Sequence, residues 1–564
     1  MTYKNILAIS LCFLHSLFFV ASAGAENDSA LIAPAMDKGF LVAAIERETP
    51  TYVPTKEITG ITVPHHLLAA DLIARGFWAA SGGQYGRVII LSPDHFRRLR
   101  SPFGVSRSPV STVFGNVEAD VKALDTLTAS KVVTEIDLAH EHGIQALIPF
   151  VRYFFPSARI VPVIVSTEAS TGDWAEMAEL IGDLVDQDTL VVQSTDYSHY
   201  LPIAAAALRD QETLAVIAEG RPDKVLQLIP SEHMDSRGSQ FIQMTLQRSI
   251  GTTSVVIANR SSREYGGGPN STTSYIVTIY GRSDRDLSKI TYPDQSVVYF
   301  GGDFLAGRYM APLLTSPSVR RSIEQEVLAI TEGKPLIINM EGVLLNEPVT
   351  NAPWNSHMMQ LSAAEPILRS LNVIGAGLAN NHSMDFGNEG YIGTIKSLTQ
   401  VNIRPLLHGK MENFGIFQIL PLLMFSPART GGDWIASEDE LAIACKLASG
   451  GPVIAFLHWG KEFTNETDDK ERNYARRLSS CGISAIIGAH SHIASTSIDA
   501  TSGQTQTVFS VGNFIFDQSA KWATSALVEV RIFDQGTLTL RLIKMANIFD
   551  LASETYALDN TRVP

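Results

Sequence analysis

Short apolar runs rich in β-branched residues recur along the chain and alternate with stretches of helical character. Examples from the first half are GRVIILSPD (86–94), ARIVPVIVS (158–166) and TLVVQSTD (189–196). Continuous apolar runs of this length are typical of strands buried on both faces, and their alternation with helices is typical of parallel sheets. The pattern therefore predicts an α/β architecture.

The pattern is interrupted once by a polar segment. A strand-like run, TTSYIVTIYG (272–281), is followed by a stretch rich in Asp, Ser and Pro, and SVVYFGGDF (296–304) begins the next apolar series. Such a segment is typical of a domain boundary. We predict a first domain over 26–283, a linker over 284–295 and a second domain over 296–564. The two halves share no sequence repeat, which indicates two unlike domains.

The first 25 residues form a separate unit. Lys4 precedes an apolar run over 6–20, and small residues follow it, which is typical of a cleaved signal peptide. The run is shorter than the roughly 20 apolar residues of a membrane span, although an uncleaved anchor is the alternative. No later segment is long and apolar enough to span. We expect a periplasmic or secreted protein whose mature chain begins at Gly24 or Glu26.

Composition excludes several classes of protein. The formal net charge of −14 would repel nucleic acid, and no basic patch is visible. Of the 3 cysteines, only Cys445 and Cys481 lie beyond the predicted leader. This number excludes a disulfide framework and zinc-finger chemistry, and it allows one bridge.

Five apolar segments of the second half end on side chains that bind metals. The carboxyl ends of strands in an open α/β sheet form its ligand-binding crevice, so these side chains are expected to converge. They are Asp303, Glu341, Asn381 with His382, His458, and His490 with His492. Carboxylate, amide and imidazole ligands together suit Mn, Fe or Zn. A carboxylate such as Glu341 can bridge two ions, which would promote hydrolysis by acidifying water.

The motifs around these residues resemble those of a known family. GGDF, NMEGVL, ANNHSMDFG, HWGKEF, GAHSH and SVGNFIF follow one another between 301 and 516. In this order they resemble the bacterial capsule-synthesis CapA (PGA_cap) family, a branch of the calcineurin-like metallophosphoesterases. The resemblance implies an α/β/β/α sandwich with two divalent ions.

The same resemblance implies a role for each residue. Asp303, Asn381, His458, His490 and His492 would be terminal ligands. Glu341 would bridge the ions, and His382 would be the general acid beside them. Leu305 stands where the wider phosphoesterase pattern has a histidine, which leaves a single ion as an alternative. From their positions in the motifs, we expect Asp385 to shape a turn and Asn513 to position a loop near the site.

The first half has its own cluster of histidines and acids. PHH, SPDH, EHGIQ and STDYSHY occur in this order between 64 and 200. They resemble the MEMO family, also called AmmeMemoRadiSam system protein B, and imply an α/β fold akin to extradiol dioxygenases. The candidate pocket residues are His65, His95, Glu141, His142, Asp196, His199 and Arg237. His66 and His140 are expected to support them.

The sequence departs from the MEMO family pattern at one position. Relatives in that family can hold a metal on two histidines and a later cysteine. His65 and His95 match the histidines, but Arg237 occupies the cysteine position. Arginine keeps its proton and cannot bind a metal. The pocket could therefore hold a metal through another ligand, an anion, or a hydrogen-bonded network without a ligand.

Three functions agree with these motifs. The leading hypothesis is metal-dependent hydrolysis by the second domain, with a phosphate ester or a cell-surface polymer linkage as substrate, in capsule or poly-γ-glutamate metabolism. The second is a non-catalytic factor that binds or assembles such a polymer. The third is a redox or metal-binding role of the first domain. Fold alone does not choose among them.

Overall fold

The computed structural model describes residues 31–32, 37–54, 58–138, 141–347, 349, 356–425, 437–448 and 451–561. The predicted leader over 1–25 and His140 lie outside these residues. Within them, no helix combines the length and the apolar character needed to cross a bilayer.

The first half is built around one large mixed sheet. The strands of this half are β1 (Leu31–Ile32), β2 (Ile58–Val63), β3 (Arg87–Pro93), β4 (Phe103–Val105), β5 (Val110–Thr112), β6 (Gly115–Val117), β7 (Val133–Glu135), β8 (Arg159–Val165), β9 (Thr189–Ser194), β10 (His199–Leu201), β11 (Thr253–Ser261) and β12 (Thr272–Gly281). Three of them, β1, β5 and β6, form a small separate sheet. The large sheet has the order β10-β12-β2-β9-β3-β8-β4-β7, and β11 pairs with β12. The four strands β2, β9, β3 and β8 run parallel at its centre.

Helices cover both faces of this sheet. They are α1 (Lys38–Arg47), α2 (Ala70–Ala80), α3 (Val121–Thr128), α4 (His142–Gln145), α5 (Ile148–Phe154), α6 (Thr171–Gly182), α7 (Ile203–Glu219), α8 (Arg237–Ser249) and α9 (Asp284–Lys289). One core packs α1, α2 and α5 against the sheet, and a second packs α3, α6 and α8 against the other face. Because both faces are buried, the central strands are continuously apolar, as the sequence predicts.

The second half contains two sheets. Their strands, together with the short pair β15 and β16, are β13 (Gln295–Phe304), β14 (Leu336–Met340), β15 (Val343–Leu345), β16 (Met358–Gln360), β17 (Val373–Gly377), β18 (Arg404–Leu406), β19 (Glu412–Asn413), β20 (Gln418–Leu423), β21 (Val453–His458), β22 (Ala485–Ala489), β23 (Asp499–Ser502), β24 (Thr505–Val508), β25 (Asn513–Ile515), β26 (Ser525–Phe533) and β27 (Leu538–Met545). The first has the order β18-β17-β14-β13-β26-β27, with β25 beside β13, and the second has the order β19-β20-β21-β22-β24-β23.

The two sheets face each other across a shared core. Phe300 of β13 packs against Phe456 of β21, with ring centroids 5.4 Å apart. The outer faces carry the helices α10 (Met310–Leu313), α11 (Pro317–Thr331), α12 (Leu361–Ser370), α13 (Gly387–Gln400), α14 (Glu438–Leu447), α15 (Asp469–Ser480) and α16 (Ile548–Thr561). Apolar cores under these helices complete an α/β/β/α sandwich. The predicted fold class is therefore confirmed.

The predicted linker is part of the folded structure. Its helix α9 packs on the first half through Leu287 and Ile290, while Arg531 of β26 donates to the carbonyl of Ile290 over 2.6 Å. A second contact joins α7 to the strands β23, β24 and β27. There Gln211 exchanges two hydrogen bonds with the backbone of Leu538, at 2.9 and 3.0 Å. The two halves thus share a polar, hydrogen-bonded interface.

A disulfide bridge joins the helices α14 and α15. Cys445 of α14 is bonded to Cys481, the residue that ends α15. The sequence allows this bridge without indicating it, because helix packing alone brings the two cysteines together. A structural disulfide is typical of oxidising compartments.

Candidate metal centre

The five predicted strand ends of the second half meet at one place. Donor atoms of Asp303, Glu341 and His492 lie within 4.8 Å of one another, and donor atoms of Glu341, His458 and His490 do the same. Glu341 belongs to both groups. All five side chains are buried. These overlapping groups around one carboxylate are compatible with the binding of divalent metal.

Asn381 completes the second group. Its Oδ1 lies 2.8 Å from Nε2 of His458, and Nδ1 of His490 lies 3.0 Å from the same nitrogen. The strand β21 ends on His458 and β22 ends just before His490, and the two strands are parallel neighbours. Register in the sheet therefore places the two imidazoles side by side.

Backbone strain occurs where these ligands leave the sheet. His490 has a φ of 98° and His492 a φ of 61°, both in the left-handed region. Residues other than glycine seldom adopt this conformation, which costs on the order of 1–3 kcal/mol and is concentrated at functional sites. At this turn the imidazole of His492 lies near Asp303 and Glu341, and the imidazole of His490 lies near Glu341.

Burial and mutual charge shift the pKa values of the group. Burial, helped by the charge of Asp303, raises the pKa of Glu341 well above its usual range. Burial lowers the pKa of His458 well below its usual range and, together with His492, lowers that of His490 to about 3. For His492, burial opposes protonation, but Asp303 and Glu341 outweigh it and raise the pKa to about 9.

One buried carboxylate oxygen of this group has no hydrogen-bond partner, and it indicates whether the donor atoms suit a cation. Oε2 of Glu341 is buried and has no hydrogen-bond partner. An unpaired buried carboxylate oxygen is costly. A cation at this position would satisfy that oxygen and the neighbouring imidazole nitrogens, so the residues fit divalent metal ions.

His382 lies beside this group. Its Nε2 is 4.0 Å from Oε1 of Glu341, and its Nδ1 is 2.9 Å from Oδ2 of Asp385. The ring stacks on His357 with centroids 3.6 Å apart. Asp385 also accepts a hydrogen bond from the backbone of His357 over 2.7 Å. Asp385 therefore fixes the orientation of His382 and directs Nε2 toward the candidate metals.

Several residues of this centre escape prediction from sequence. Asn339 donates to Asp303 over 2.7 Å, and Asn380 donates to Asn339 over 3.3 Å. His357 is buried, which lowers its pKa to about 2, and Arg308 donates to its Nε2 over 2.9 Å. Asn339 and Asn380 stand inside motifs that the sequence singles out, whereas His357 and Arg308 follow no strand-end pattern.

The predicted pocket residues of the first half also gather at strand ends. His65 follows β2, His95 follows β3 and Asp196 follows β9, three parallel neighbours. Nε2 of His65 lies 3.1 Å from Nε2 of His95, and Oε1 of Glu141 lies 2.6 Å from Nδ1 of His95.

The remaining residues of this pocket surround that pair. The ring centroids of His142 and His95 lie 3.9 Å apart. His199 is partly buried, and its Nδ1 has no hydrogen-bond partner. Burial, reinforced by Asp235, raises the pKa of Asp196 to about 8. His66 is exposed and its Nδ1 contacts the hydroxyl of Tyr275 at 2.7 Å, so it lies at the margin.

The side chain of Arg237 does not face the pocket residues with which the sequence grouped it. Its guanidinium donates to the carbonyls of Leu226 and Leu228, at 3.4 and 3.2 Å. The side chain that faces His65 and His95 is instead Asp235, two residues earlier. Arg237 is the first residue of α8, and the helix start directs its side chain toward the preceding segment.

Two family models match the chain, one in each half. The Memo-like protein family matches residues 34–279, and the bacterial capsule synthesis protein PGA_cap family matches 297–412 and 434–518. The chain is a fusion of a Memo-like domain and a PGA_cap domain. Both resemblances drawn from the sequence motifs are therefore confirmed.

Individual relatives agree with this division. The PGA biosynthesis protein CapA of Bacillus subtilis is 27% identical over 46% of this chain and 73% of its own length. The capsule biosynthesis protein CapA of Bacillus anthracis is 25% identical over 46% of this chain and 70% of its own length. A MEMO1 family protein of Saccharolobus solfataricus is 23% identical over 39% of this chain and 81% of its own length.

Among solved structures, a novel phosphatase from Mycoplasma pneumoniae is similar with a TM-score of 0.29 and 12% identity, over 46% of this chain and 99% of that chain. A hypothetical protein from Thermus thermophilus is similar with a TM-score of 0.28 and 12% identity, over 44% of this chain and 99% of that chain.

Proposed function

We propose that the PGA_cap domain is an exported, metal-dependent hydrolase related to capsule biosynthesis, acting on a phosphate ester or a cell-surface polymer linkage. The observation that carries this proposal is the buried, unsatisfied carboxylate of Glu341 at the junction of two ligand groups. Asp303, Asn381, His458, His490 and His492 are the proposed terminal ligands. Divalent Mn, Fe or Zn ions held there would polarise the scissile bond and lower the pKa of water.

The protein side chains supply the rest of the chemistry. His382 is the proposed general acid, since its Nε2 faces the centre and its Nδ1 is held by Asp385. A proton given by Nε2 to the leaving oxygen leaves a neutral imidazole that keeps its hydrogen bond to Asp385. Arg308 is 28% exposed and held by Asp517, so it can contact a phosphoryl oxygen of the substrate.

The experiment measures metal content and phosphoesterase activity of the full mature chain after reconstitution with Mn, Fe or Zn. We expect one to two ions per chain at this centre, and Glu341→Gln or His490→Ala should lose most of that metal and the activity. Glu347→Gln is the matched control, because Glu347 is exposed and lies only six positions away. Full metal content in Glu341→Gln would contradict the proposal.

A second candidate function is polymer binding without catalysis, and one surface favours it. A cleft of about 620 Å³ adjoins the metal centre and is lined by Tyr309, Phe463, Asp517, Gln518, Ser519, Trp522 and Phe549. The ring of Phe463 lies 5.5 Å from that of His492. If Trp522→Ala weakens retention of capsular polymer while the wild type shows no hydrolysis with any metal, the binding function replaces the enzymatic one.

A further inference from the structure

Three large aromatic side chains are exposed around one cleft of the PGA_cap domain. Tyr309, Phe463 and Trp522 are 73%, 51% and 59% exposed. All three line the cleft of about 620 Å³ that adjoins the metal centre. Single exposed aromatic residues are ordinary on a protein surface, but several around one concavity are typical of a binding site. The cleft is therefore a candidate site for the part of a substrate that lies outside the metal centre.

Side-chain contacts connect this cleft to the metal centre. The ring centroids of Phe463 and His492 lie 5.5 Å apart. In addition, Nδ2 of Asn513 donates to Oε1 of Gln518 over 2.9 Å, and Oδ1 of Asn513 lies 2.8 Å from Nδ1 of His492. Both Phe463 and Gln518 line the cleft. A ligand in the cleft is thus separated from a proposed metal ligand by a single side chain.

Backbone hydrogen bonds hold two of the aromatic residues in place. The amide of Phe463 donates to the carbonyl of Ser491 over 2.8 Å, and Phe463 has a φ of 60°, in the left-handed region. The amide of Trp522 donates to the carbonyl of Ser519 over 2.9 Å. Because these turns are formed before a ligand arrives, little conformational entropy is lost when the rings bind it.

The charges of the cleft disfavour a polyanion. Asp517 is the one charged residue that lines it in the described part of the chain, and its side chain is 1% exposed and paired with Arg308. Lys521 lies beside the wall, with Nζ 5.0 Å from the centroid of the Trp522 ring. A chain of carboxylates, such as poly-γ-glutamate, would need several lysines or arginines along the cleft to offset its charge. The wall therefore suits an uncharged ligand.

The apolar part of the wall consists of aromatic rings. Tyr309, Phe463, Trp522 and Phe549 line the cleft, and its lining in the described residues includes no aliphatic side chain. An acyl chain gains nothing from rings that aliphatic groups would not also supply. The flat face of a sugar ring, by contrast, carries weakly positive C–H groups, which fit the negative face of an aromatic ring. The wall thus favours a sugar over a lipid.

Two polar side chains among the rings match the hydroxyl groups of a sugar. Oε1 of Gln518 accepts from Asn513, which leaves the amide nitrogen of Gln518 as a donor. Ser519 adds a hydroxyl that can donate and accept. Aromatic rings with a few polar groups that fix orientation are the usual composition of a small-ligand site.

We infer that this cleft binds an uncharged sugar unit of the substrate, stacked on Trp522 and Tyr309, beside the bond that the metal centre is proposed to cleave. The inference rests on the proposed function and adds its substrate class, which is a carbohydrate that carries the scissile ester rather than a polyanionic peptide or a lipid. Trp522 and Tyr309 are specificity residues in this assignment, because they contact the sugar and not the reacting atoms.

Isothermal titration calorimetry of the full chain with cellotetraose and chitotetraose tests the inference without depending on hydrolysis. The wild type should bind at least one of the two. Trp522→Ala and Tyr309→Ala should each weaken this binding by about 10-fold, as expected when a stacked ring loses its aromatic partner. Trp522→Phe should keep most of the affinity, because it retains an aromatic face. Tyr556→Ala is the matched control, since Tyr556 is an exposed aromatic residue of α16 in the same domain.

The variant Glu341→Gln separates this inference from the proposed hydrolysis. It removes a proposed metal ligand and leaves the cleft intact, so its affinity for the tetrasaccharide should equal that of the wild type. Binding without hydrolysis under any metal would support the sugar site and reject the enzyme, whereas hydrolysis without binding of either tetrasaccharide would overturn the sugar site alone. Binding of poly-γ-glutamate or of phosphatidylglycerol vesicles that is lost in Trp522→Ala, in place of tetrasaccharide binding, would also overturn it.

Discussion

Two neighbours determine the chemistry of His382. Asp385 holds Nδ1 at 2.9 Å, and the parallel ring of His357 restricts rotation about the side chain. Nε2 is thereby left 4.0 Å from Glu341, close to the proposed metals, in a side chain that is less buried than the proposed ligands. A residue in this position can move a proton while the metals remain bound.

We predict that His382→Ala lowers turnover of an ester with an alkoxide leaving group by about 10²-fold or more, which is within the range of general acid catalysis. A nitrophenyl ester should lose much less, because its leaving group needs little protonation. Steady-state kinetics on both esters, with metal content measured in parallel, checks this. His408→Ala is the control, being a partly exposed histidine that contacts Glu440. Equal losses on both esters with metal intact would rule out the acid role.

Among the elements of the second half, the pair α14 and α15 is joined covalently. The bridge between Cys445 and Cys481 spans 36 residues of sequence and connects two helices on the outer face of the second sheet. The same helices pack through Leu441, Ala444 and Leu478. The bridge closes a long loop and so restricts the unfolded chain.

We expect Cys481→Ser to lower the free energy of unfolding of this domain by about 4 kcal/mol, as for loops of this size. Denaturant unfolding of the full chain with and without reductant measures the effect. Reductant should destabilise the wild type and leave Cys481→Ser unchanged. Two titratable thiols in the unreduced protein would show that the bridge does not form.

In the whole molecule, a buried ion network joins the two domains. Glu529 accepts from Arg531 over 2.5 Å and from Arg541 over 3.3 Å, and Arg541 also donates to Asp284 of α9 over 3.0 Å. Burial alone would raise the pKa of Glu529, but the two arginines outweigh it and lower the pKa to about 2. The ionised carboxylate therefore stabilises the folded chain relative to the unfolded chain.

The pH dependence follows from this shift. The stabilisation by Glu529 is complete above its ordinary pKa of 4.5 and is lost as the pH falls toward about 2. Glu529→Gln should destabilise the protein by about 3 kcal/mol at pH 7, since it removes the buried carboxylate that Arg531 and Arg541 share, and by less at pH 3. Thermal unfolding at both pH values checks this, with the exposed Glu554→Gln as control. An effect of equal size at both pH values would contradict the assignment.

The sequence by itself determined the fold class and most of the proposed metal centre. Continuous apolar strands that end on Asp303, Glu341 and His458 encode both the sheet and its ligand-bearing edge, because the carboxyl ends of parallel strands share one side of a sheet. The domain boundaries remain predictions, although α9 shows that the linker is folded. The predicted leader over 1–25 lies outside the described residues.

Only the tertiary structure decided which polar residues outside the strand ends join each site. Asp235 precedes a helix, and Arg308 and His357 lie in connections, so no periodic pattern marks them. Arg237 faces away from its predicted pocket because the start of α8 directs its side chain elsewhere. The cysteine pairing likewise depends on helix packing. Contacts between residues far apart in sequence depend on how helices and strands pack, and the local sequence pattern does not specify that packing.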